Sequence, residues 1–309
     1  MKAMRVNNAK QGSSLIAASL PQPQPGDGEL LIRVRATGVT PTELVWYPTT
    51  HTKDGGTRTS AVPGHEFSGI VAALGKGAHE FNVGDEIYGM NDWFADGATA
   101  EFCLTRPQNI APKPKVLTHE LAATVPIGAL TAWQGLFDRA KMQSGERVLI
   151  HGAAGAVGLF AAQLAHFHGA YVIATASALN TEFVKQLGAE EVLDYKTTRF
   201  EEQVENVDIV FDAVGGETLD RSWAVLKPGG RMVTIAADSE ATTDQRVKDA
   251  FFIVEPNQKQ LLEVARLLEA GTLKAFVGAV VPLDEASVAY SRAVPDKGSY
   301  GKVVIAVPE

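Results

Sequence analysis

The sequence has little cysteine, no long apolar run and fewer basic than acidic residues. Its single cysteine, Cys103, can form neither an intramolecular disulfide nor a cysteine-rich metal site, which favours a reducing compartment. Glycine, proline or charge interrupts every apolar run well short of a membrane span. With 28 Lys and Arg against 36 Asp and Glu, the net charge of −8 argues against a broad nucleic-acid interface. No signal peptide is recognisable at the start, so a cytoplasmic protein with neither nucleic-acid nor membrane partners is expected.

The 309 residues suffice for two domains, and the pattern of short apolar segments changes along the chain. In the first third, residues 29–36, 66–74 and 86–90 read as short strands separated by glycine turns. Short strands with frequent glycines favour a curved or barrel-like sheet. The polar stretch between Tyr47 and Pro63 is either a substrate loop or a plain surface loop.

The middle of the chain alternates strands with helices, which predicts βαβ units and a parallel sheet with right-handed crossovers. One or two helices are expected between residues 118 and 138, and further helices at 156–168 and 180–187. After them, a helix at 257–270 precedes strands at 276–281 and 302–307. The strands predicted for the parallel sheet lie at 147–151, 171–175, 191–194, 208–212 and 231–236.

A dinucleotide-binding fingerprint follows the first strand of that sheet. Ala153, Gly155 and Gly158 reproduce its spacing, with alanine in place of the first glycine. Gly155 allows the backbone to approach a pyrophosphate, and Gly158 allows close packing of helix and strand. Ala156 and Val157 open the helix, whose free N–H groups attract an anion. A bare glycine turn is the alternative, but the strand–turn–helix context favours a bound dinucleotide.

The end of the second strand predicts which dinucleotide binds. NAD enzymes place a carboxylate there to hold the ribose 2′-hydroxyl, but residues 171–181 contain no Asp or Glu. Thr175 and Ser177 stand there instead, and their neutral hydroxyls would tolerate a 2′-phosphate because they do not repel it. NADP(H) is therefore expected, although dual specificity stays open. Tyr195, Lys196 and Arg199 are candidate phosphate partners, the last two alternatively being surface charges.

The order of motifs along the whole chain resembles the medium-chain dehydrogenase/reductase superfamily, in its zinc-less quinone oxidoreductase-like branch. The resemblance implies an α/β protein: a GroES-like β-barrel substrate domain, residues 1–118 completed by 273–309, and a Rossmann doubly wound parallel-sheet domain, residues 119–272. It also implies an active site in the cleft and a homodimer. The matching segments are GVTPTE at 38–43, PGHEFSG at 63–69, VGD at 83–85, GALTAW at 128–133, the glycine turn, DAVGG at 212–216, LKPGG at 226–230 and GKVV at 301–304.

The ligand set of the zinc enzymes in this superfamily is incomplete here. Thr40 stands where they have a cysteine, and no cysteine lies near residues 125–126. His65 remains, but a catalytic zinc generally needs three protein ligands. We therefore expect no metal site and a hydrogen-bonded, structural His65. Without zinc to polarise an alcohol, reduction of an electron-poor substrate becomes the better reading.

The resemblance then implies an NADPH-dependent, zinc-independent oxidoreductase that passes hydride to a quinone or an α,β-unsaturated carbonyl. One alternative is an NADPH-binding sensor or partner protein with low turnover, because this chain has Thr-Pro-Thr-Glu where the family usually has Asn-Pro-x-Asp. A further alternative is an alcohol or aldehyde dehydrogenase activity, whose metal ligands the sequence does not supply.

Site residues can be placed on that framework. Tyr47 is the candidate proton donor or oxyanion partner and Thr40 a candidate hydrogen-bond donor, while Trp46 and Trp93 are candidates to line the substrate pocket. Packing of the loop or the core is the alternative for the three aromatic residues. Thr131 is a further candidate cofactor-binding residue. The resemblance adds the following residues around the nicotinamide half of the cofactor: Val214, Gly215, Ala236, Phe252 and Ile253.

Overall fold

The computed structural model of the chain describes residues 1–9, 12–291, 293–294 and 300–308. The strands are β1 (Lys2–Ala9), β2 (Gly12–Ser19), β3 (Leu30–Gly38), β4 (Glu66–Leu74), β5 (Glu86–Met90), β6 (Phe102–Thr105), β7 (Ile110–Pro112), β8 (Arg147–His151), β9 (Tyr171–Ala176), β10 (Glu191–Asp194), β11 (Val207–Asp212), β12 (Leu226–Thr234), β13 (Val277–Pro282) and β14 (Lys302–Ala306). The α-helices are α1 (Tyr47–Thr50), α2 (His119–Ala122), α3 (Pro126–Trp133), α4 (Gly158–Phe167), α5 (Thr181–Gln186), α6 (Gly216–Ser222), α7 (Gln245–Ala250), α8 (Gln258–Glu269) and α9 (Ala286–Tyr290).

The chain divides into two compact units, Met1–Ile127 with Pro256–Glu309 and Gly128–Glu255. These boundaries differ from the predicted ones, since residues 119–127 and 256–272 belong with the first unit. Two contacts explain the second difference. The Tyr88 hydroxyl donates to the Leu261 carbonyl at 2.6 Å, and the Lys115 N–H donates to the Glu269 carboxylate at 3.2 Å. Helix α8 is thereby bound to β5 and to the segment that follows β7 in the first unit.

The first unit contains a β1–β2 hairpin and a larger, mostly antiparallel sheet. The larger sheet has the order β13-β14-β3-β4-β5-β7, with β6 also paired to β3, and its one parallel pairing is β13 with β14. Strand β3 lies at the centre of this sheet and pairs with β14, β4 and β6. Its residues Leu30, Ile32 and Val34 are fully buried in the core. Strand β13 lies at an edge, and the predicted homodimer stays a prediction.

The second unit contains the predicted parallel sheet, in the order β10-β9-β8-β11-β12. Strands β8 and β11 are almost entirely buried, as is typical of the centre of a parallel sheet. Helix α4 packs on β8 and β9, α5 on β9 and β10, and α7 on β12. The carboxyl ends of β8, β9 and β11 meet at one edge of the sheet, where a ligand-binding crevice is expected.

Most predicted elements are present, with some changes at their ends. Strands β4, β5, β8 and β10 have the predicted bounds, whereas β12 begins and ends earlier than the predicted strand 231–236. The predicted helical region 118–138 becomes α2, α3 and a π-helical turn, Gln134–Arg139. None of the described helices is both long and apolar enough to cross a membrane.

Candidate functional site

A glycine turn joins β8 to α4 and brings the two elements unusually close. A Cβ atom on Gly158 would lie 2.2 Å from the Gly152 carbonyl oxygen and 2.7 Å from the Ala153 Cα, closer than atoms can pack. Gly152 itself has a φ of 73°, a conformation that side chains disfavour. On Gly155 a Cβ would meet the same carbonyl oxygen at 3.1 Å. Close packing of the helix on the strand therefore requires glycine at position 158 more strictly than at position 155.

The turn presents free hydrogen-bond donors. Within the described part of the chain, the backbone N–H groups of Ala154, Ala156 and Val157 have no acceptor. They precede the first turn of α4, where the helix dipole adds a partial positive charge. Such a group of donors fits the pyrophosphate of a dinucleotide, and the absence of a side chain at Gly155, which lines the cavity beside the turn, leaves room for it.

A cavity of about 570 Å³ opens beside this turn. Several predicted cofactor residues line it, namely Gly155, Ala156, Val157, Gly158, Thr175, Ser177, Tyr195 and Val214. They come from the glycine turn, from the end of β9 and from the turns after β10 and β11. The structure thus brings together the residues that the fingerprint and the second strand predict, except for Ala153.

The other predicted cofactor residues do not line this cavity. Thr131, Ala153 and Ala236 are buried, and the Ala153 N–H donates to the Thr175 carbonyl at 3.2 Å. Phe252 is buried with the Arg139 guanidinium 5.5 Å from its ring centroid, whereas Ile253 is half exposed. Gly215 caps α6 and donates its N–H to Asp212.

His151 and Arg221 are among the lining side chains that the sequence reasoning missed. His151, the last residue of β8, is fully buried and hydrogen-bonds to Thr175 and Ser222. Arg221 on α6 lines the cavity and binds both carboxylate oxygens of Glu201, at 3.0 and 3.1 Å. Neither has a local signal, because a strand-end histidine and a helical arginine are common outside binding sites.

Asp212 holds the turn after β11 that forms one wall of the cavity. Its carboxylate accepts the N–H groups of Val214 and Gly215 and the Thr234 hydroxyl, at 2.8 to 3.1 Å. Burial raises the pKa of Asp212, and these three donors offset part of that rise. A carboxylate with this many donors fixes the backbone from which Val214 reaches the cavity.

In the first unit the predicted substrate residues form an aromatic cluster. The ring centroids of Trp46 and Trp93 lie 4.9 Å apart, and Trp93 lies 5.1 Å from His65. Thr40 is the half-buried residue that precedes the 3₁₀ helix Pro41–Val45. Trp93 therefore contacts both Trp46 and His65, the histidine for which the sequence predicted a structural role.

Tyr47 lies beside this cluster, on α1. Its ring stacks on His51 with centroids 4.4 Å apart and meets Phe94 edge-on at 6.4 Å. The side chain is 48% exposed, and its hydroxyl has no hydrogen-bond partner among the described residues. The ring thus packs against two aromatic side chains, and the role of Tyr47 as proton donor stays a prediction.

His65 is paired with Glu43, a residue that sequence reasoning left without a role. Both side chains are buried, and Nδ1 of His65 contacts the Glu43 carboxylate while Nε2 lies 3.2 Å from the Ala95 carbonyl oxygen. Burial disfavours the charged imidazole, but the Glu43 carboxylate outweighs it and raises the pKa of His65. Both ring nitrogens of His65 are therefore occupied by protein oxygens.

These contacts do not fit a catalytic zinc. Zinc needs a free histidine nitrogen and further ligands, whereas His65 has both nitrogens bonded and burial raises the pKa of the Cys103 thiol. Over the described ranges, no three His, Cys, Asp or Glu side chains are grouped so that they could hold a metal ion.

Replacing Glu43 by glutamine is expected to lower the pKa of His65, because it removes the carboxylate that opposes burial. In the native protein the raised pKa adds stability that is fully present below the usual value of 6.5 and is lost as pH rises through the folded-state pKa. The variant should lose this pH dependence. Imidazole NMR titration and urea unfolding between about pH 5 and pH 9 measure both effects.

The matched control is Glu205→Gln, which removes an exposed carboxylate from the other unit. It should leave the His65 titration unchanged. An unaltered His65 pKa in the Glu43 variant would show that the carboxylate does not control the imidazole.

A second buried ion pair joins Glu66, next to His65, with Lys302 on β14. Glu66 is fully buried, Lys302 is 8% exposed, and the other Glu66 oxygen accepts the Ile127 N–H at 3.1 Å. Burial raises the pKa of Glu66, and the Lys302 ammonium offsets part of that rise. Gly38 makes room for the pair, since a Cβ there would lie 2.5 Å from the Glu66 carboxylate.

Two family models match the chain. Residues 26–115 match the alcohol dehydrogenase GroES-like domain, and residues 187–305 match a zinc-binding dehydrogenase domain. A probable zinc-binding oxidoreductase, mitochondrial, from Arthroderma benhamiae is 35% identical over 98% of this chain and 96% of its own length. The quinone oxidoreductase of Rattus norvegicus is 29% identical over 92% of this chain and 90% of its own.

Solved structures show the same similarity. The quinone oxidoreductase from Coxiella burnetii superposes with a TM-score of 0.87 at 28% identity, covering 100% of this chain and 99% of its own. The CurK enoyl reductase superposes with a TM-score of 0.84 at 29% identity, covering 99% of each chain.

Proposed function

The chain belongs to the medium-chain dehydrogenase/reductase superfamily, in its quinone oxidoreductase-like branch, and from this we propose that it is an NADPH-dependent, zinc-independent reductase of quinones or α,β-unsaturated carbonyls. Relatives of this branch support an oxidoreductase that binds a nicotinamide cofactor. The choice of NADPH, of the substrate class and of a metal-free reaction is the proposal. The composition of the nucleotide cavity carries the first of these.

The cavity beside the glycine turn has a cation and no carboxylate. Arg221 is the one charged side chain among its lining residues, all of them described, since the pKa of His151 lies at about 3. Glu201, the ion-pair partner of Arg221, does not line the cavity. Ser177, Asn180 and Tyr195 add neutral donors after β9 and β10. This lining suits the extra phosphate of NADPH and offers no acid for the ribose hydroxyls of NADH.

When bound, the nicotinamide would supply the hydride, and the chain would bind, orient and protonate. The N–H groups of the glycine turn would hold the pyrophosphate, and Asp212 would fix the turn that carries Val214. The flat faces of Trp46 and Trp93 suit a planar quinone or enone. The unpartnered Tyr47 hydroxyl would donate its proton to the substrate oxygen on which negative charge develops.

A metal-free reaction is supported by the state of His65. Its Nδ1 contacts Glu43 and its Nε2 lies near the Ala95 carbonyl, so zinc would have to displace two buried contacts. Substrates with an electron-poor double bond need no Lewis acid to accept hydride, unlike an alcohol that must first lose a proton. The names of the relatives, quinone oxidoreductase and enoyl reductase, match this substrate class.

The decisive test is oxidation of NADPH and NADH by chelator-treated protein, followed at the absorbance of the reduced nicotinamide. Quinones, enones, saturated aldehydes and a blank without substrate are run in parallel. We expect turnover with quinones or enones and NADPH, unaffected by the chelator. NADPH binding without turnover on any of them would instead favour the sensor alternative, and activity that needs added zinc would contradict the metal-free reaction.

Ser177→Asp is the matched variant for the cofactor. Ser177 precedes a 3₁₀ turn, where aspartate is a good capping residue, so the fold should tolerate it. A carboxylate there repels the 2′-phosphate and can accept from a ribose 2′-hydroxyl. The affinity for NADPH should therefore fall about tenfold or more relative to the affinity for NADH. An unchanged ratio would show that Ser177 does not face the phosphate.

A further inference from the structure

Three buried polar side chains form a hydrogen-bonded chain behind the nucleotide cavity. Nδ1 of His151 lies 3.0 Å from the Thr175 hydroxyl, and its Nε2 lies 3.0 Å from the Ser222 hydroxyl. His151 ends β8, Thr175 lies on β9 and Ser222 ends α6. Thr175 and His151 line the cavity, whereas Ser222 does not.

The position of each proton in this chain follows from the Ser222 end. The Ser222 oxygen lies 2.6 Å from the Thr218 carbonyl oxygen, which has no proton to give. Two oxygens this close need a proton between them, so the single Ser222 proton points to Thr218. Ser222 can then only accept from His151, which places a proton on Nε2.

His151 has no second proton. Burial lowers its pKa to about 3, and the Arg221 guanidinium acts in the same direction, so the imidazole is neutral under physiological conditions. With the proton on Nε2, Nδ1 is a bare acceptor. The contact with Thr175 then requires that the Thr175 hydroxyl donate to Nδ1.

We propose that Thr175 therefore faces the bound nucleotide with lone pairs alone, so that it accepts from a free 2′-hydroxyl of the adenosine ribose and cannot bind a 2′-phosphate. This inference rests on the proposed function, and it changes the expectation that Thr175 and Ser177 serve the phosphate together. A phosphate oxygen opposite Thr175 would be a second acceptor with no proton between them. The Ser177 hydroxyl makes no capping hydrogen bond to the 3₁₀ turn that follows it, and it lines the cavity. It is therefore the hydroxyl that donates to the phosphate.

The tautomer is measured directly on the nucleotide-free protein. Nitrogen NMR of the imidazoles separates a bare ring nitrogen from a protonated one, and His151→Asn identifies the signals. We expect a protonated Nε2 and a bare Nδ1 that persist across the stable pH range. A proton on Nδ1 would overturn the proposal, since Thr175 could then donate to the ligand.

The ligand side is measured with ADP-ribose and 2′-phospho-ADP-ribose, which carry the adenosine half of each cofactor and do not react. In Thr175→Val, ADP-ribose should bind roughly three- to tenfold more weakly, the loss of one hydrogen bond, while the 2′-phosphate form should stay within about twofold. Thr175→Ser should restore binding. A larger loss for the phosphorylated ligand than for ADP-ribose would overturn the proposal.

Ser222→Ala tests the proton arrangement through the ratio of the affinities for the two ligands, which a purely structural role of Ser222 would leave unchanged. Without its acceptor, the Nε2 proton has no partner, and the tautomer with the proton on Nδ1 becomes the better one because it can donate to Thr175. The Thr175 proton is then released toward the cavity. Affinity for 2′-phospho-ADP-ribose should rise relative to ADP-ribose, although Ser222 does not line the site. A fall in that ratio would contradict the proposal.

These outcomes separate the inference from the proposed function. If the unmodified protein binds neither ligand, the nucleotide site itself is refuted, and the role of Thr175 with it. If both ligands bind but the Thr175 and Ser222 variants shift the ratio in the opposite direction, the proton arrangement is wrong while the reductase proposal stands.

Discussion

Gly158→Ala is expected to lose nucleotide binding by about tenfold or more and to destabilise the second unit by about 1–3 kcal/mol, the usual range for overpacking. The added Cβ would lie 2.2 Å from the Gly152 carbonyl oxygen and 2.7 Å from the Ala153 Cα, and both are backbone atoms with no rotamer to change. Helix α4 must move away from β8. The N–H groups of Ala154, Ala156 and Val157 would then no longer converge on a pyrophosphate.

Fluorescence titration with NADPH and urea unfolding measure the two effects separately, so a loss of binding in folded protein is distinguishable from a loss of fold. Gly155→Ala is the matched control, because its Cβ would meet the Gly152 oxygen at 3.1 Å, a contact that a small shift relieves. It should unfold at a higher urea concentration than the Gly158 variant. Equal loss of stability in both variants would show that the close approach at Gly158 is not what the turn requires.

The elements that sequence predicted are those with a strong local pattern. The strands of the parallel sheet are short apolar runs between turns, and β11 is buried along its length, as is β8 after Arg147. The β1–β2 hairpin and the polar helix α7 had no such pattern and were not predicted. Burial of Ala3, Met4 and Val6 is decided by tertiary contacts that no local window contains.

The same limit applies to the candidate site. The glycine turn was predictable because its residues are consecutive and their spacing is dictated by one phosphate-binding geometry. The paired side chains were not, because each pair is assembled from distant segments: Glu43 and His65 are 22 residues apart, His151 and Ser222 are 71 apart, and Glu66 and Lys302 are 236 apart. A single sequence gives each of these residues a chemical type but no partner.

Lys302→Met is expected to destabilise the first unit by about 3–5 kcal/mol, because it leaves the Glu66 carboxylate buried without its cation. In the variant, the Ile127 N–H at 3.1 Å is the remaining partner of the Glu66 carboxylate. In the native protein the carboxylate also has the positive charge of the Lys302 ammonium beside it. Methionine keeps the length and most of the volume of the lysine stem, so the loss is electrostatic rather than a cavity. Urea unfolding at neutral pH gives the magnitude.

The pH dependence identifies the cause. The pKa of Glu66 is already raised above 4.5 by burial, and loss of Lys302 should raise it further. A raised carboxyl pKa means that the folded state takes up a proton more readily than the unfolded chain, so stability falls as pH rises through the folded-state value. The deficit of Lys302→Met should therefore shrink toward acid pH. Adding Glu66→Gln removes the charge and should recover part of the stability at neutral pH, whereas a deficit unchanged by pH and by this second substitution would assign it to packing instead.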